Sequence, residues 1–296
     1  MKEKILKLNF TINWIFIFFL SIKCVYTVYP VVVFHGIGQN CEVYQLKNLV
    51  QNLKFYLGTD HVKCISVGNG FFTSFLKSFN YQADEACRMV REDPIFQGDF
   101  SIVGISQGGL LGRSIVQKCN TKGTVRRYIS IASPQMGVAI VPKLNCRYIC
   151  HIYNKIVGNL IYTDFIQSHV GPSGYYRDKE NFYNYINFSS FLADLNNERK
   201  IKNPKYKERI LQLEKMMLVM SLKDTIVFPK SSAWFEFYDR RGKEIIPLRE
   251  SEFYKKDFIG LRELDEQGKV VFVRLTGRHT MFTDKDIINY FIPLLK

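Results

Sequence analysis

The sequence has no Cys-x-x-Cys pair, no internal repeat and no low-complexity run. The first absence removes the paired thiolates of the common structural zinc sites. The other two exclude a repeat array and a fibre. Beyond the first two dozen residues, no segment is apolar enough to span a bilayer. Basic clusters are missing too. The formal charge is +14, yet Lys and Arg are scattered along the chain. Nucleic-acid binding calls for cations gathered on one face or in a motif. The excess charge therefore reads as a solvated surface that anionic membranes attract. No metal, no cofactor and no nucleic-acid partner is implied.

What is present fits one globular domain. The chain has 296 residues, 47% of them hydrophobic and 23% charged, which is enough for one sizeable core or a core plus a lid. Lys2, Lys4 and Lys7, against Glu3, precede an apolar run from Leu8 to Ile22. A basic start followed by a short apolar stretch describes a secretory signal peptide. The alternative is a membrane anchor, but the run is about 15 residues where a spanning helix needs roughly 20. Residues 1–24 are therefore expected to be removed, with Cys24 and Thr27 both tolerable as final residues. Loss of four lysines and one glutamate would lower the charge from +14 to +11.

Six cysteines then remain: Cys41, Cys64, Cys87, Cys119, Cys146 and Cys150. An even number in a secreted chain suggests disulfides, with 15 full connectivities open, or else buried thiols. Asn187-Phe188-Ser189 fits the glycosylation acceptor pattern.

Strand and helix signals alternate. Val28–Phe34, interrupted only by Pro30, is an apolar run suited to a strand buried on both faces. It ends in the turn His35-Gly36-Ile37-Gly38. Residues 43–57 have helical spacing at Leu46, Leu49, Val50 and Leu53. Val62–Val67 predicts a strand, 81–92 a helix, Phe100–Ile105 a third strand, Gln107–Cys119 a Gly-rich helix, and Val125–Ala132 a fourth strand. Such alternation implies βαβ crossovers and a mostly parallel central sheet. From about 142 to 214 no strand signal is clear, which predicts an inserted helical cap within a single domain spanning 25–296. Inside it, Ile149, Ile152, Tyr153, Ile156, Val157, Leu160 and Ile161 fall at helical spacing. Residues 205–216 read as a charged amphipathic helix. Met216–Ser221 and Val270–Leu275 return to strands.

The chemistry centres on Gly104-Ile105-Ser106-Gln107-Gly108. A buried strand before the serine and a helix after it are the setting of the α/β-hydrolase nucleophile elbow. A serine hydroxyl is a weak nucleophile and needs a base. The chain order in this fold is Ser, then an acid, then His. His35 and His61 precede Ser106, and His151 and His169 lie in the expected cap. His279 follows a late strand, at the end of the sheet where α/β sites gather. Asp224 directly follows the strand Met216–Ser221, unlike Asp194, Glu214, Glu236 or Asp239. The expected triad is Ser106, Asp224 and His279. The developing oxyanion needs preset donors. The backbone N–H groups of Ile37 and Gln107 are the candidates, with His35 read as structural.

Several segments resemble the palmitoyl-protein thioesterases, lysosomal α/β-hydrolases that strip fatty acyl groups from cysteines. They are Val33-Phe34-His35-Gly36-Ile37-Gly38, Gly104–Gly109, Phe191–Glu198, Lys223-Asp224-Thr225-Ile226-Val227, Trp234–Tyr238 and Ile246-Pro247-Leu248. Coverage runs from about residue 28 to the C-terminus. The resemblance implies the same triad, oxyanion donors at Ile37 and Gln107, a glycan on Asn187, and an acyl groove shaped by the inserted block. Ile149, Ile152, Tyr153 and Ile156 are then the expected groove residues, although such a stripe also suits ordinary core. Two disulfide pairings, Cys87–Cys119 and Cys146–Cys150, resemble the family's, and Cys41–Cys64 would complete the set. The run Ala132-Ser133-Pro134-Gln135-Met136-Gly137 stands where the family usually has a Gly-Gly pair followed by His or Gln.

The implied activity is hydrolysis of long-chain acyl thioesters, on S-acylated proteins or peptides, by a monomer in the secretory pathway, lysosomal or secreted. The triad alone leaves a lipid or carboxyl esterase and an acyl-CoA thioesterase open. A non-catalytic lipid-binding protein would use the same groove, against which the intact Ser106, Asp224 and His279 set argues.

Overall fold

The computed structural model describes residues 28–140 and 160–296. A six-stranded sheet forms its centre, in the order β2-β1-β3-β4-β5-β8, with every neighbouring pair parallel. The strands are β1 (Val31–Phe34), β2 (Val62–Ile65), β3 (Phe100–Ile105), β4 (Val125–Ile131), β5 (Lys215–Ser221) and β8 (Val270–Leu275). β6 (Phe237–Tyr238) and β7 (Ile245–Ile246) make a small separate ribbon. This is the α/β-hydrolase class of fold, as expected.

The apolar runs explain the layering. Every residue of β1 and β3 is buried, because parallel strands are covered on both faces. Val32, Phe34 and Ile102 point into one core, against α3 (Phe79–Glu92) and α4 (Gln107–Lys118). Val31, Val33, Val103 and Ile105 point into the other, against α1 (Tyr44–Leu57) and the C-terminal segment containing Ile287 and Phe291. The period of two along each strand deals successive side chains to opposite layers.

The chain leaves β1 toward β2 in one direction and passes from β3 to β4, β5 and β8 in the other. The switch point therefore lies between β1 and β3, and ligands of open α/β sheets bind outside the strand ends there.

Some boundaries differ from the sequence reading. The helix expected at 205–216 stops at Ile210, and β5 begins at Lys215, where pairing with β4 and β8 overrides helical spacing. A short helix, α2 (Phe71–Leu76), lies between the predicted strand Val62–Val67 and the predicted helix 81–92. Between β4 and β5 the described elements are helical: α5 (Asp164–His169), the 3-10 turn Gly171–Tyr175, α6 (Phe182–Phe188), α7 (Leu192–Leu195) and α8 (Pro204–Ile210). The expected signal segment 1–24, most of the apolar stripe at 149–161, and the pair Cys146–Cys150 lie outside the described residues.

Among the described residues two disulfides are present, Cys41–Cys64 and Cys87–Cys119. The second ties the helix before β3 to the end of the helix after it, across 32 residues. In the chain-entropy picture a loop of that length contributes about 3–4 kcal/mol. Cys87→Ser with Cys119→Ser is therefore expected to lower unfolding free energy by about that much. Urea denaturation against the oxidised parent checks this, and equal midpoints would contradict it.

Candidate active site

Ser106 stands at the C-terminal end of β3, on the first residue before α4. Its backbone has φ 53° and ψ −123°, a strained conformation for a non-glycine residue. Two glycines make the turn sterically feasible. A Cβ on Gly104 would collide with Gly109 Cα and the Gly108 carbonyl, and one on Gly108 with the Phe34 and His35 carbonyls. The serine N–H remains bonded to the Ile131 carbonyl at 2.8 Å, so the turn is anchored to β4.

The Ser106 hydroxyl donates to His279 Nε2 at 2.8 Å, and His279 Nδ1–H donates to Asp224 Oδ2 at 2.7 Å. The Asp224 side chain is only 2% exposed. Its second oxygen accepts from the Ile226 and Val227 N–H groups at 2.8 and 3.1 Å. The carboxylate is thereby locked in the orientation that fixes the imidazole tautomer. The acid and histidine loops are stitched together, since the Lys223 N–H donates to the Gly277 carbonyl at 3.1 Å. From α1, Gln45 holds the Thr280 carbonyl at 2.6 Å.

The loop after β1 lies against the serine. A Cβ on Gly36 would stand 3.2 Å from Ser106 Cβ. Gly36 N–H donates to Gln39 Oε1 and Gly38 N–H to Ser74 Oγ. Among the described residues no acceptor takes the Ile37 N–H between them. Gln107 opens α4, where N–H groups have no intrahelical partner. His35 is buried and bonded through Nδ1 to the Gly36 carbonyl at 2.8 Å, and burial holds its pKa below the ordinary histidine value. It is structural.

Sequence reading missed what holds these loops. Gln107 Nε2 donates to Gln82 Oε1 at 2.8 Å, and the Tyr175 hydroxyl donates to Gln107 Oε1 at 2.9 Å. Gln82 in turn donates to the Lys77 carbonyl at 2.8 Å. Ser74 accepts the Gly38 N–H at 2.9 Å and donates to the Phe71 carbonyl at 2.6 Å. Ser74→Ala removes the only partner of the Gly38 N–H among the described residues and loosens the loop that presents Ile37. Loss of one such hydrogen bond is worth about 1 kcal/mol, so kcat is expected to fall roughly five- to tenfold with KM little changed. Steady-state kinetics on a short-chain thioester checks this, and an unchanged kcat would contradict it.

A cavity of about 600 Å³ opens at Ser106, walled mainly by apolar side chains, among them Val138, Ile161, Ile166, Tyr175 and Val227. Pro134, from the loop that departs from the family pattern, also reaches it, whereas Gln135 turns inward to Tyr128 and Ser130. Of the predicted stripe, Leu160 and Ile161 line this cavity. Ile149, Ile152, Tyr153 and Ile156 lie outside the described residues. Asn187 is exposed on α6, and Ser189 beside it is buried. Among the described residues no group of His, Cys, Asp or Glu could hold a metal ion.

A parallel sheet with a serine on the tight turn after a central strand, hydrogen-bonded to a histidine and through it to an aspartate, is the layout of an α/β-hydrolase. Residues 30–279 match the family model described as palmitoyl protein thioesterase, and the chain belongs to that family. It is 33% identical over 283 residues to palmitoyl-protein thioesterase 3 of Dictyostelium discoideum, covering 94% of this chain and 96% of the relative. It is 28% identical to palmitoyl-protein thioesterase 1 of Caenorhabditis elegans, covering 88% and 89%. A lysosomal thioesterase PPT2 homolog of Drosophila melanogaster is also 28% identical, with the same coverage of 88% and 89%.

Proposed function

We propose that the chain hydrolyses long-chain fatty-acyl thioesters, foremost palmitoyl groups on protein cysteines, through an acyl-enzyme on Ser106. The observation that carries this is the Ser106–His279–Asp224 chain opening into an apolar cavity of about 600 Å³. Ser106 Oγ attacks the thioester carbonyl carbon while its proton passes to His279 Nε2. The oxyanion settles against the Ile37 and Gln107 N–H groups. The C–S bond breaks, and the leaving thiolate takes the proton from His279. Water, deprotonated by His279, then attacks the acyl carbonyl, and the ester C–O bond breaks as His279 returns that proton to Ser106 Oγ, releasing the free acid. Asp224 keeps the imidazole oriented throughout.

The helical insertion between β4 and β5 serves as the cap whose inner wall receives the acyl chain. Residues 1–24 act as a cleaved secretory signal, Asn187 carries a glycan, and the chain works as a monomer in the lysosome or outside the cell. The two disulfides support an oxidising route of maturation, and several relatives bear lysosomal names.

Each methylene buried in the cavity contributes about 0.8 kcal/mol, roughly fourfold in binding. Across a series of acyl thioesters, kcat/KM is expected to climb steeply with chain length until the cavity is filled. Matched oxygen esters run beside them separate a thioesterase from an esterase. A flat length dependence, or faster turnover of every oxygen ester, would contradict the reading.

A further inference from the structure

α2 reads Phe-Phe-Thr-Ser-Phe-Leu, and Ser74 is its one buried residue. Phe72 and Leu76 are 59% and 62% exposed, and Phe71 and Phe75 are 47% and 40% exposed. The Phe71 ring centroid lies 5.1 Å from that of Phe72 and 6.0 Å from that of Phe75, so the rings form one surface. Single exposed apolar residues are ordinary, but four within six positions are not. The inner face of α2 accounts for the helix itself, because Ser74 bonds Gly38 and Phe71 there. Nothing in those bonds requires an apolar outer face.

The patch continues into the mouth of the acyl cavity. Phe75 belongs to both. Leu160 and Ile226, which also line the cavity, are themselves exposed. Cations adjoin α2 and the site loops in the chain. Lys77 directly follows α2, Lys223 precedes Asp224, and Arg278 precedes His279. All three are exposed, and none has a carboxylate partner among the described residues. Lys77 Nζ also lies 5.7 Å from the Tyr81 ring centroid. Aromatic and aliphatic side chains flanked by cations without carboxylate partners make up an interfacial membrane-binding surface.

We propose that this face docks on an anionic phospholipid bilayer. Phe71, Phe72 and Leu76 enter the interface, and Lys77, Lys223 and Arg278 meet the headgroups. The cavity mouth then opens onto the lipid, and a fatty chain passes from bilayer to Ser106 without crossing water. The docking rests on the thioesterase reading for what the cavity receives.

The test is co-sedimentation of the full chain with phosphatidylcholine vesicles and with phosphatidylcholine–phosphatidylserine vesicles. Binding to the anionic vesicles, and weaker binding to the neutral ones, is expected. F72S/L76S should lower partitioning roughly 30-fold by withdrawing two large apolar side chains. K77S should weaken binding roughly fivefold, and only on the anionic vesicles. Both variants should turn over a soluble short-chain thioester at the parent rate. That assay scores the reaction separately: loss of turnover in the parent refutes the thioesterase, not the docking. Parent protein that ignores anionic vesicles, or F72S/L76S that binds them as the parent does, overturns the docking. So does a dimer in sizing chromatography that F72S/L76S abolishes while the parent binds no vesicle, since the patch would then belong to a second copy.

Discussion

Ser106→Ala is expected to leave a folded protein with activity reduced roughly 10⁴- to 10⁶-fold, the range of triad losses in serine hydrolases. The change removes one hydroxyl from a buried elbow and keeps the Cβ, so neither packing nor the backbone at φ 53° is altered. Stability should stay within about 0.5 kcal/mol. His279→Ala should be comparably inactive, because Ser106 Oγ then loses the acceptor 2.8 Å away. The double variant should be hardly worse than either single one, since the groups act as a unit. Additive losses would mean that the two residues serve separate steps. Chain-length kinetics on each variant, alongside thermal unfolding, distinguishes lost chemistry from lost fold.

Glu198→Gln is expected to destabilise the protein by about 3–5 kcal/mol, the cost of breaking a buried pair and stranding its partner. Arg177 and Glu198 meet at 2.8 Å with side chains only 8% and 6% exposed. Glu198 also accepts from the Tyr185 hydroxyl at 2.6 Å and from Asn196 at 3.1 Å. Burial opposes charge on Arg177, yet the facing Glu198 carboxylate and the neighbouring Tyr185 together hold the guanidinium pKa above its usual value. The same guanidinium lies 4.6 Å from the Tyr185 ring centroid and 4.9 Å from that of Phe237. The backbone around it forms a cavity wall: Arg177 N–H bonds the Val138 carbonyl, and Val138 N–H bonds the Tyr175 carbonyl. Loss of the pair should therefore weaken preference for long acyl chains as well as stability. Urea unfolding measures the first effect. A shift under about 1 kcal/mol would show that the pair is replaceable.

Much of the site could be read from the chain because its signals are local or follow chain order. The glycines around Ser106 announce a turn that admits no side chain, and the buried strand before it is a plain apolar run. Asp224 and His279 each follow a strand, so their convergence follows from a parallel sheet whose carboxyl ends share one edge. The walls were not legible in the same way. Val138, Tyr175 and Val227 meet at the cavity from three stretches far apart in sequence, and no periodicity connects them. α2 is short and rich in aromatics, which have only middling helix propensity. It is held by tertiary bonds and by the Asn69 side chain accepting from the Thr73 N–H at 3.0 Å. At 205–216 the spacing of Ile210, Leu213, Met216 and Met217 suits a helix, yet Met216 and Met217 are strand residues buried between β4 and β8. Long-range pairing decided that boundary. The buried role of Glu198 was likewise hidden, since both it and its partner, 21 positions away, lie outside helices and strands.

The most direct test of the account is covalent. The protein is treated with a serine-directed fluorophosphonate, digested, and the labelled peptide mapped, with and without prior incubation with a palmitoyl thioester. The account predicts label on Ser106 alone, suppressed while the acyl-enzyme occupies that oxygen. Label on another residue, or labelling of Ser106 that a palmitoyl thioester leaves untouched, would contradict it.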